Sequence, residues 1–334
     1  MKRKTMPDQK PLSFSEIYRS GLVSFDMILG VSKAMLDTIS QAKSAALSDA
    51  PVLLVGETGT GKNILAQAIH NAGGRSKRPF CEVNCGGLHE MLQESELFGH
   101  TRGAFTGADK DRDGLLMLAQ GGTLFLNEVG DIPASTQKKL IDVIEYKKFR
   151  KLGQDIESTT NIRAIAGTNR DLDSLRAKGE FRDDFYYRLN CFRIEVPALR
   201  KRKDDIPVLV DSLLREFSAR ESKNVSGVSP KAMSVLVDYD WPGNVRQLRF
   251  VIWRTVATVD SEMIEEEHVV ETLELSDAKS PNTPLASLEE VERNYITKVL
   301  CLTNWNKTRA AEILRISRVG LNRRIHALRI SEPA

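Results

Sequence analysis

The sequence predicts an α/β protein, with an open parallel sheet wrapped in helices, then a helical segment, then a small all-helical module at the C-terminal end. Three observations carry this. Short apolar runs ending in glycine-rich or polar turns alternate with helical periods through the first two hundred residues. From about Arg200 to Leu273 the apolar period is helical throughout. Residues 301–334 hold seven Lys/Arg against two acids, a net +5, which leaves −2 for the rest of a chain whose formal charge is +3.

At 334 residues, with 41% hydrophobic and 28% charged residues, the chain is expected to divide into two or three globular domains. Ser13, Ser15, Glu16 and Arg19 interrupt any apolar segment after the basic start, and no run approaches membrane-spanning length, so the expected location is cytoplasmic with no membrane partner. Cys81, Cys85, Cys191 and Cys301 form no paired framework. Cys81, Cys85 and His89 are evenly spaced, but without C-x-x-C spacing they read as thiols at the end of a buried strand rather than metal ligands.

Residues 1–23 read as a solvated tail, and residues 30–46 as a helix with Met35, Ile39 and Ala42 on one face. The stretch PVLLVGETGTGKNILAQAIH (51–70) then runs strand, loop, helix. Val52, Leu53, Leu54 and Val55 are the strand, and Ile64, Leu65, Ala68 and Ile69 recur at helical spacing. Gly56, Glu57, Thr58, Gly59, Thr60, Gly61 and Lys62 complete G-x-x-x-x-G-K, in which loop amides and a helix start cradle phosphates and the lysine sits on the terminal ones. The plainer alternative is a glycine turn before an ordinary helix. The Ser/Thr that usually follows and holds magnesium is Asn63.

A second strand is expected over residues 80–84. GHTRGAFTGA (99–108) lacks any period, so Phe105 and Thr106 are expected to project from a mobile loop; the alternative is that Phe105 folds back into the core. In GGTLFLNEVGD (121–131) a third strand over 123–126 runs into Asn127 and Glu128, and a further strand over 162–166 leads to Thr168 and Asn169. Polar tips at the carboxyl ends of parallel strands suit ligand chemistry, although each alone could be a helix cap. In FRDDFYYRLN (181–190), Arg182 and Arg188 could simply pair with Asp183 and Asp184. WPGNVRQL (241–248) places Asn244 as an N-cap delivering Arg246 in the first turn of a helix. Residues 274–287, with Pro281 and Pro284, read as a linker, and 288–300 as an amphipathic helix. Residues 307–314 and 317–328 then form a helix-turn-helix, with Arg309, Ser317, Arg318, Asn322, Arg323 and Arg324 available to DNA; the alternative is a charged helical bundle.

Together these motifs closely resemble the bacterial sigma-54-dependent transcriptional activators over roughly residues 30–330, and GAFTGA (Gly103, Ala104, Phe105, Thr106, Gly107, Ala108) is the most specific match. The resemblance implies an AAA+ P-loop subdomain (24–200), a helical lid (201–273), a linker and a Fis-type helix-turn-helix (288–334). It implies ATP and Mg2+ as cofactors, with Gly56 to Asn63 as Walker A and the strand ending in Asn127 and Glu128 as Walker B. Asn63, Asn127 and Glu128 form the metal corner, and Glu128 polarises the attacking water. Asn84 restrains Glu128, Thr168 and Asn169 act as sensor I, Arg246 as sensor II, and Arg182 and Arg188 as arginine fingers acting on a neighbour's phosphates. The implied partners are sigma-54 RNA polymerase, touched by residues 103–108, enhancer DNA, and other subunits in a homo- or hetero-oligomeric ring, usually a hexamer.

Two departures stand out. Asn127 replaces the family's aspartate and Asn63 its usual acid, which leaves the metal corner short of two negative charges. A pair of opposite unit charges near 4 Å attracts by about 4 kcal/mol at an effective dielectric of 20, so weakened magnesium binding and slow hydrolysis are expected. That keeps open a hydrolysis-impaired DNA-binding regulator, or a co-activator subunit that needs a partner ATPase. Arg315 stands where the inter-helix turn usually has glycine, and Gly320 falls within the second helix. No receiver domain is expected ahead of the ATPase match, so regulation would come from expression level or another protein.

Overall fold

The computed structural model describes residues 21–87, 89–277, 305–328 and 330, together with 292, 293, 295–297, 299, 300 and 303. The expected tail, apart from residues 21–23, and most of the expected linker and of the 288–300 helix lie outside the described residues. Two compact units divide the chain after Thr272.

The first unit is built on five parallel strands, β1 (Val52–Val55), β2 (Phe80–Asn84), β3 (Thr123–Asn127), β4 (Arg163–Thr168) and β5 (Phe192–Glu195), in the order β2-β3-β4-β1-β5. Side chains alternate across each strand, so each contributes to two apolar layers. Leu53, Leu124, Leu126, Ala164 and Ala166 join one layer with Leu140, Val143, Phe185 and Leu189, from helices Ala134–Tyr146 and Asp183–Leu189. Val52, Leu54, Phe125, Ile165 and Ile194 join the other with Met35, Ala42, Leu65 and Ile69, from helices Lys33–Ala46 and Lys62–Ala72. Covering both faces is what makes these strands near-continuous apolar runs. The edge strand β5 is absent from the sequence expectation; its Phe192, Ile194 and Val196 alternation was the available signal. Beyond the sheet, helices Asp205–Glu221, Pro230–Asp238 and Asn244–Thr258 pack as the helical segment.

The second unit holds helices Lys307–Ile313 and Arg318–Ala327, close to the expected bounds. Ala310, Ala311, Leu321, Ile325 and Leu328 share a core with Ile296, Val299 and Leu300. Asn306 caps the first helix by accepting from Thr308 and Arg309 N–H, and Ser317 caps the second by accepting from Gly320 N–H at 3.0 Å. Gly320 therefore sits in the first turn, where its amide needs a cap, rather than mid-helix. Arg315 takes φ +54° in the turn, a left-handed conformation costing a side chain about 1–2 kcal/mol. Glycine gives back part of that gain as unfolded-chain entropy, so Arg315→Gly is expected to stabilise this unit by roughly 0.5–1 kcal/mol, read as slower amide exchange across residues 310–328. Unchanged exchange would show the turn to be unstrained.

Candidate nucleotide site

The chain leaves β1 at Gly56, whose N–H donates to Thr168 O at 3.0 Å and ties the loop to β4. A Cβ on Gly59 (φ +83°) would stand 2.3 Å from Gly243 O, so the loop and the helical segment approach as only glycine permits. Lys62 opens its helix with its side chain 4% exposed; Nζ donates to Gly56 O at 2.8 Å and lies 3.6 Å from Glu128 Oε1. Burial pushes its ammonium pKa down, and Glu128 opposes that. A cavity of about 490 Å³ opens here, with Thr58, Gly59, Thr60, Gly61, Lys62, Asn63, Asn127, Glu128 and Arg246 among its walls.

Glu128 adopts φ +57°, which turns it off the end of β3 into the cavity. Its Oε2 accepts Asn169 N–H at 3.1 Å, and Asn169 Nδ2 donates to Thr58 Oγ1 at 2.9 Å, so loop and strand tips form one polar chain. Thr168 is buried and its hydroxyl accepts Arg170 N–H, which leaves Asn169 as the strand-tip residue that reaches the loop. The expected Asn84–Glu128 restraint is not what the side chains do. Asn84 Oδ1 accepts Gly86 N–H, while Glu128 is engaged by Lys62 and Asn169. Asn63 and Asn127 do converge, both on Glu82: Asn63 Nδ2 donates to Glu82 Oε1 at 2.6 Å and Asn127 Nδ2 at 3.3 Å.

Asn244 corrects the capping expectation. It lies at φ +52° with no side-chain cap, and its amide instead bridges elements: Oδ1 accepts Leu199 N–H at 2.7 Å, and Nδ2 donates to Glu57 Oε2 and Thr58 O, each at 3.1 Å. Arg200 pairs with Glu57 and, with Asn244, holds that carboxyl down to about 2. Arg202, 3% exposed, donates to Thr60 O at 3.0 Å. These clamps were missed because the Arg200–Arg202 run looked like an ordinary helix start. Arg246 is exposed on the cavity wall. Arg182 pairs with Asp184 at 2.7 Å and Arg188 with Glu145, and neither lines the cavity. Cys85 is buried, which pushes its thiol up to about 12, and Cys81 is half-buried with its thiol raised by the same cause.

The hexapeptide is closed on itself, with Gly103 N–H donating to Ala108 O at 2.9 Å and Ala108 N–H to Phe105 O at 3.0 Å. Its base is a short antiparallel pair, Gly99–His100 with Arg112–Asp113, where Gly99 O also accepts Leu152 N–H. Thr106 is exposed, but Phe105 is not the free projection the sequence suggested. Its ring packs edge-on against buried His100, centroids 5.0 Å apart, and His100 Nδ1 in turn contacts Ser95 Oγ at 2.7 Å. A half-buried ring gains contacts that a bare tip lacks.

In the second unit Arg309, on the first helix of the motif, and Arg318 and Arg323, on the second, are exposed, and Asn322 on the second is half-buried. Ser317 is spent as its cap, and Arg324 pairs with Glu292 at 2.5 Å. Among the described residues no helix is long and apolar enough to cross a membrane.

A five-stranded parallel sheet with a buried P-loop lysine facing an acidic strand tip, and a helical segment closing over the loop, defines a P-loop protein of the AAA+ ATPase class. The chain belongs to the sigma-54-dependent transcriptional regulators: residues 28–195 match the Sigma-54 interaction domain, 200–285 the AAA+ ATPase lid domain and 287–328 the bacterial regulatory protein, Fis family. It is 46% identical over 288 residues to the transcriptional regulatory protein GlrR of Escherichia coli K12, covering 86% of this chain and 65% of that protein. It is 43% identical over 308 residues to ZraR of Salmonella typhimurium, covering 92% and 70%. Crystal structures of NtrX from Brucella abortus superpose with TM-scores of 0.68 for the complex with ADP and 0.66 for that with ATP. Identities are 28% and 29%; the first match covers 93% of this chain and 70% of NtrX, the second 90% and 69%. The chain thus spans about two-thirds of the length of the curated relatives it matches.

Proposed function

We propose that this chain hydrolyses ATP as part of a ring and uses the energy to remodel sigma-54 RNA polymerase, while its C-terminal unit holds the ring at enhancer DNA. The observation that supports this most directly is the polar chain from Thr58 through Asn169 to Glu128, beside Lys62 in one cavity. In this reading Lys62 and the loop amides bind the β- and γ-phosphates, and Glu128 takes the proton of the attacking water. Bound magnesium would neutralise phosphate charge at the corner formed by Asn63, Asn127 and Glu128. Arg182 and Arg188, outside their own cavity, act on a neighbouring subunit's nucleotide, and their present carboxylate partners are exposed enough to be exchanged for phosphate. Loss or gain of the γ-phosphate would be felt by Asn169 and passed along β4 and β3 toward the 99–113 hairpin. There the Phe105–His100 contact is the joint that must open for Phe105 to reach sigma-54.

Exposed Arg309, Arg318 and Arg323, with Asn322, would face DNA. Tethering at an upstream site raises the local concentration of the ring near the promoter. Thr106→Ala is expected to lower transcription from a cognate promoter by roughly tenfold or more, the effect of losing one interface hot spot. Undiminished output would remove the hexapeptide from the mechanism. Asn127 favours a second reading, a subunit that binds nucleotide to assemble a ring but hydrolyses poorly by itself. Promoter opening measured with ATP and with a nonhydrolysable analogue separates the two, because only the first requires hydrolysis.

A further inference from the structure

The corner that lacks acids at positions 63 and 127 is not without a carboxylate. Glu82, two residues before the end of β2, faces the same side of the sheet as the Lys62–Ala72 helix, because β2 and β3 are adjacent and in register. One of its oxygens, Oε1, receives both amides, Asn63 Nδ2 and Asn127 Nδ2. Both of these donors are neutral amides, and they orient the carboxylate. Turning Nδ2 toward Glu82 leaves Asn127 Oδ1 buried with no hydrogen-bond partner, an oxygen acceptor on a residue that lines the cavity. Hard divalent cations and the waters around them are held by such oxygens, carboxylate and carbonyl alike, so these groups fit magnesium.

We propose that Glu82 is the displaced acid of this corner: it supplies from the neighbouring strand the negative charge that Asn63 and Asn127 lack, and with Asn127 Oδ1 it steadies the outer shell of the divalent cation that accompanies bound ATP. This rests on the reading of the cavity as a nucleotide site. It also makes the two asparagines and Glu82 one unit. An acid restored at position 127 alone would bring a second carboxylate against Glu82, where like charges oppose each other. The same acid beside Glu82→Gln would reconstitute a single charge.

The test uses the whole chain and a fluorescent, nonhydrolysable ATP analogue, titrated with MgCl2 and, separately, in excess EDTA. Glu82→Gln keeps the acceptor oxygen and removes the charge. It is expected to raise the Mg2+ concentration for half-maximal analogue binding by roughly tenfold or more, the usual consequence of losing an outer-shell partner, while binding in EDTA stays with the parent's. The double variant Glu82→Gln/Asn127→Asp is expected to bring the Mg2+ requirement back toward that of the parent. Thermal unfolding of each variant checks that the sheet is intact. An unchanged Mg2+ requirement in Glu82→Gln overturns the proposal, as does an equal loss of binding in EDTA, which would mean that Glu82 only shapes the pocket. If Lys62→Ala still binds the analogue, the nucleotide-site reading fails instead, whatever Glu82 does.

Discussion

Glu128→Gln is expected to lower ATP turnover by roughly 10²- to 10⁴-fold, the usual contribution of a positioned general base, with nucleotide binding retained. The substitution keeps the side chain's shape, and its amide oxygen can still accept Asn169 N–H. What disappears is the group able to take a proton, together with its charge opposite Lys62. The reason to expect so large an effect is geometric. A left-handed backbone at Glu128 costs strain and turns the carboxylate into the cavity, beside the buried lysine and the loop. Steady-state phosphate release with saturating ATP is the measurement. A rate near the parent's would assign the proton to another group and sink the hydrolytic role of Glu128.

Asp205→Ala is expected to destabilise the first unit by about 3–5 kcal/mol, the cost of breaking a buried pair and stranding its partner, against a total domain stability of roughly 5–15 kcal/mol. Asp205 is fully buried at the start of the Asp205–Glu221 helix. Its carboxylate accepts Val31 N–H at 2.6 Å, Ser32 N–H at 2.7 Å and the Ser32 hydroxyl at 2.9 Å, at the entrance of the Lys33–Ala46 helix. Arg202 Nη1 lies 3.9 Å away, and the same guanidinium donates to Thr60 O in the phosphate loop. Burial already pushes the Arg202 pKa down, with Asp205 opposing it, so removing Asp205 leaves a buried cation without its counter-charge. Urea unfolding gives the stability change, and nucleotide affinity should fall with it because Arg202 positions the loop. A shift within experimental scatter would mean that this junction relaxes around water.

Much of the scaffold was readable from local pattern. β2 falls on the expected residues, the phosphate loop lies between the expected strand and helix, and both helices of the C-terminal motif begin within a residue of their expected starts. These features are encoded by neighbours in sequence: apolar period, glycine spacing, and a Ser or Asn just ahead of a helix. The resemblance carried by GAFTGA and WPGNVRQL already pointed to the family. The misreadings have one source. Asn244 looked like a cap because Asn often is one, yet its amide was taken by Leu199, Glu57 and Thr58, two of them about 187 positions away. Phe105 looked free because its glycine-rich stretch lacks any apolar period, yet the His100 ring packs against it.

Local chemistry, then, marked four of the five sheet strands, the loop suited to phosphate, and the charge that positions 63 and 127 lack. Folding settled which distant groups share a point in space. Glu82 reaches Asn63 and Asn127 only because β2 lies against β3 with the phosphate-loop helix across that face, and Asp205 meets Ser32 from 173 residues away. A residue's side of a strand follows from a period of two, but its neighbour there depends on strand order, which in this sheet runs β2-β3-β4-β1-β5 and is set by long-range burial rather than by any adjacent residue.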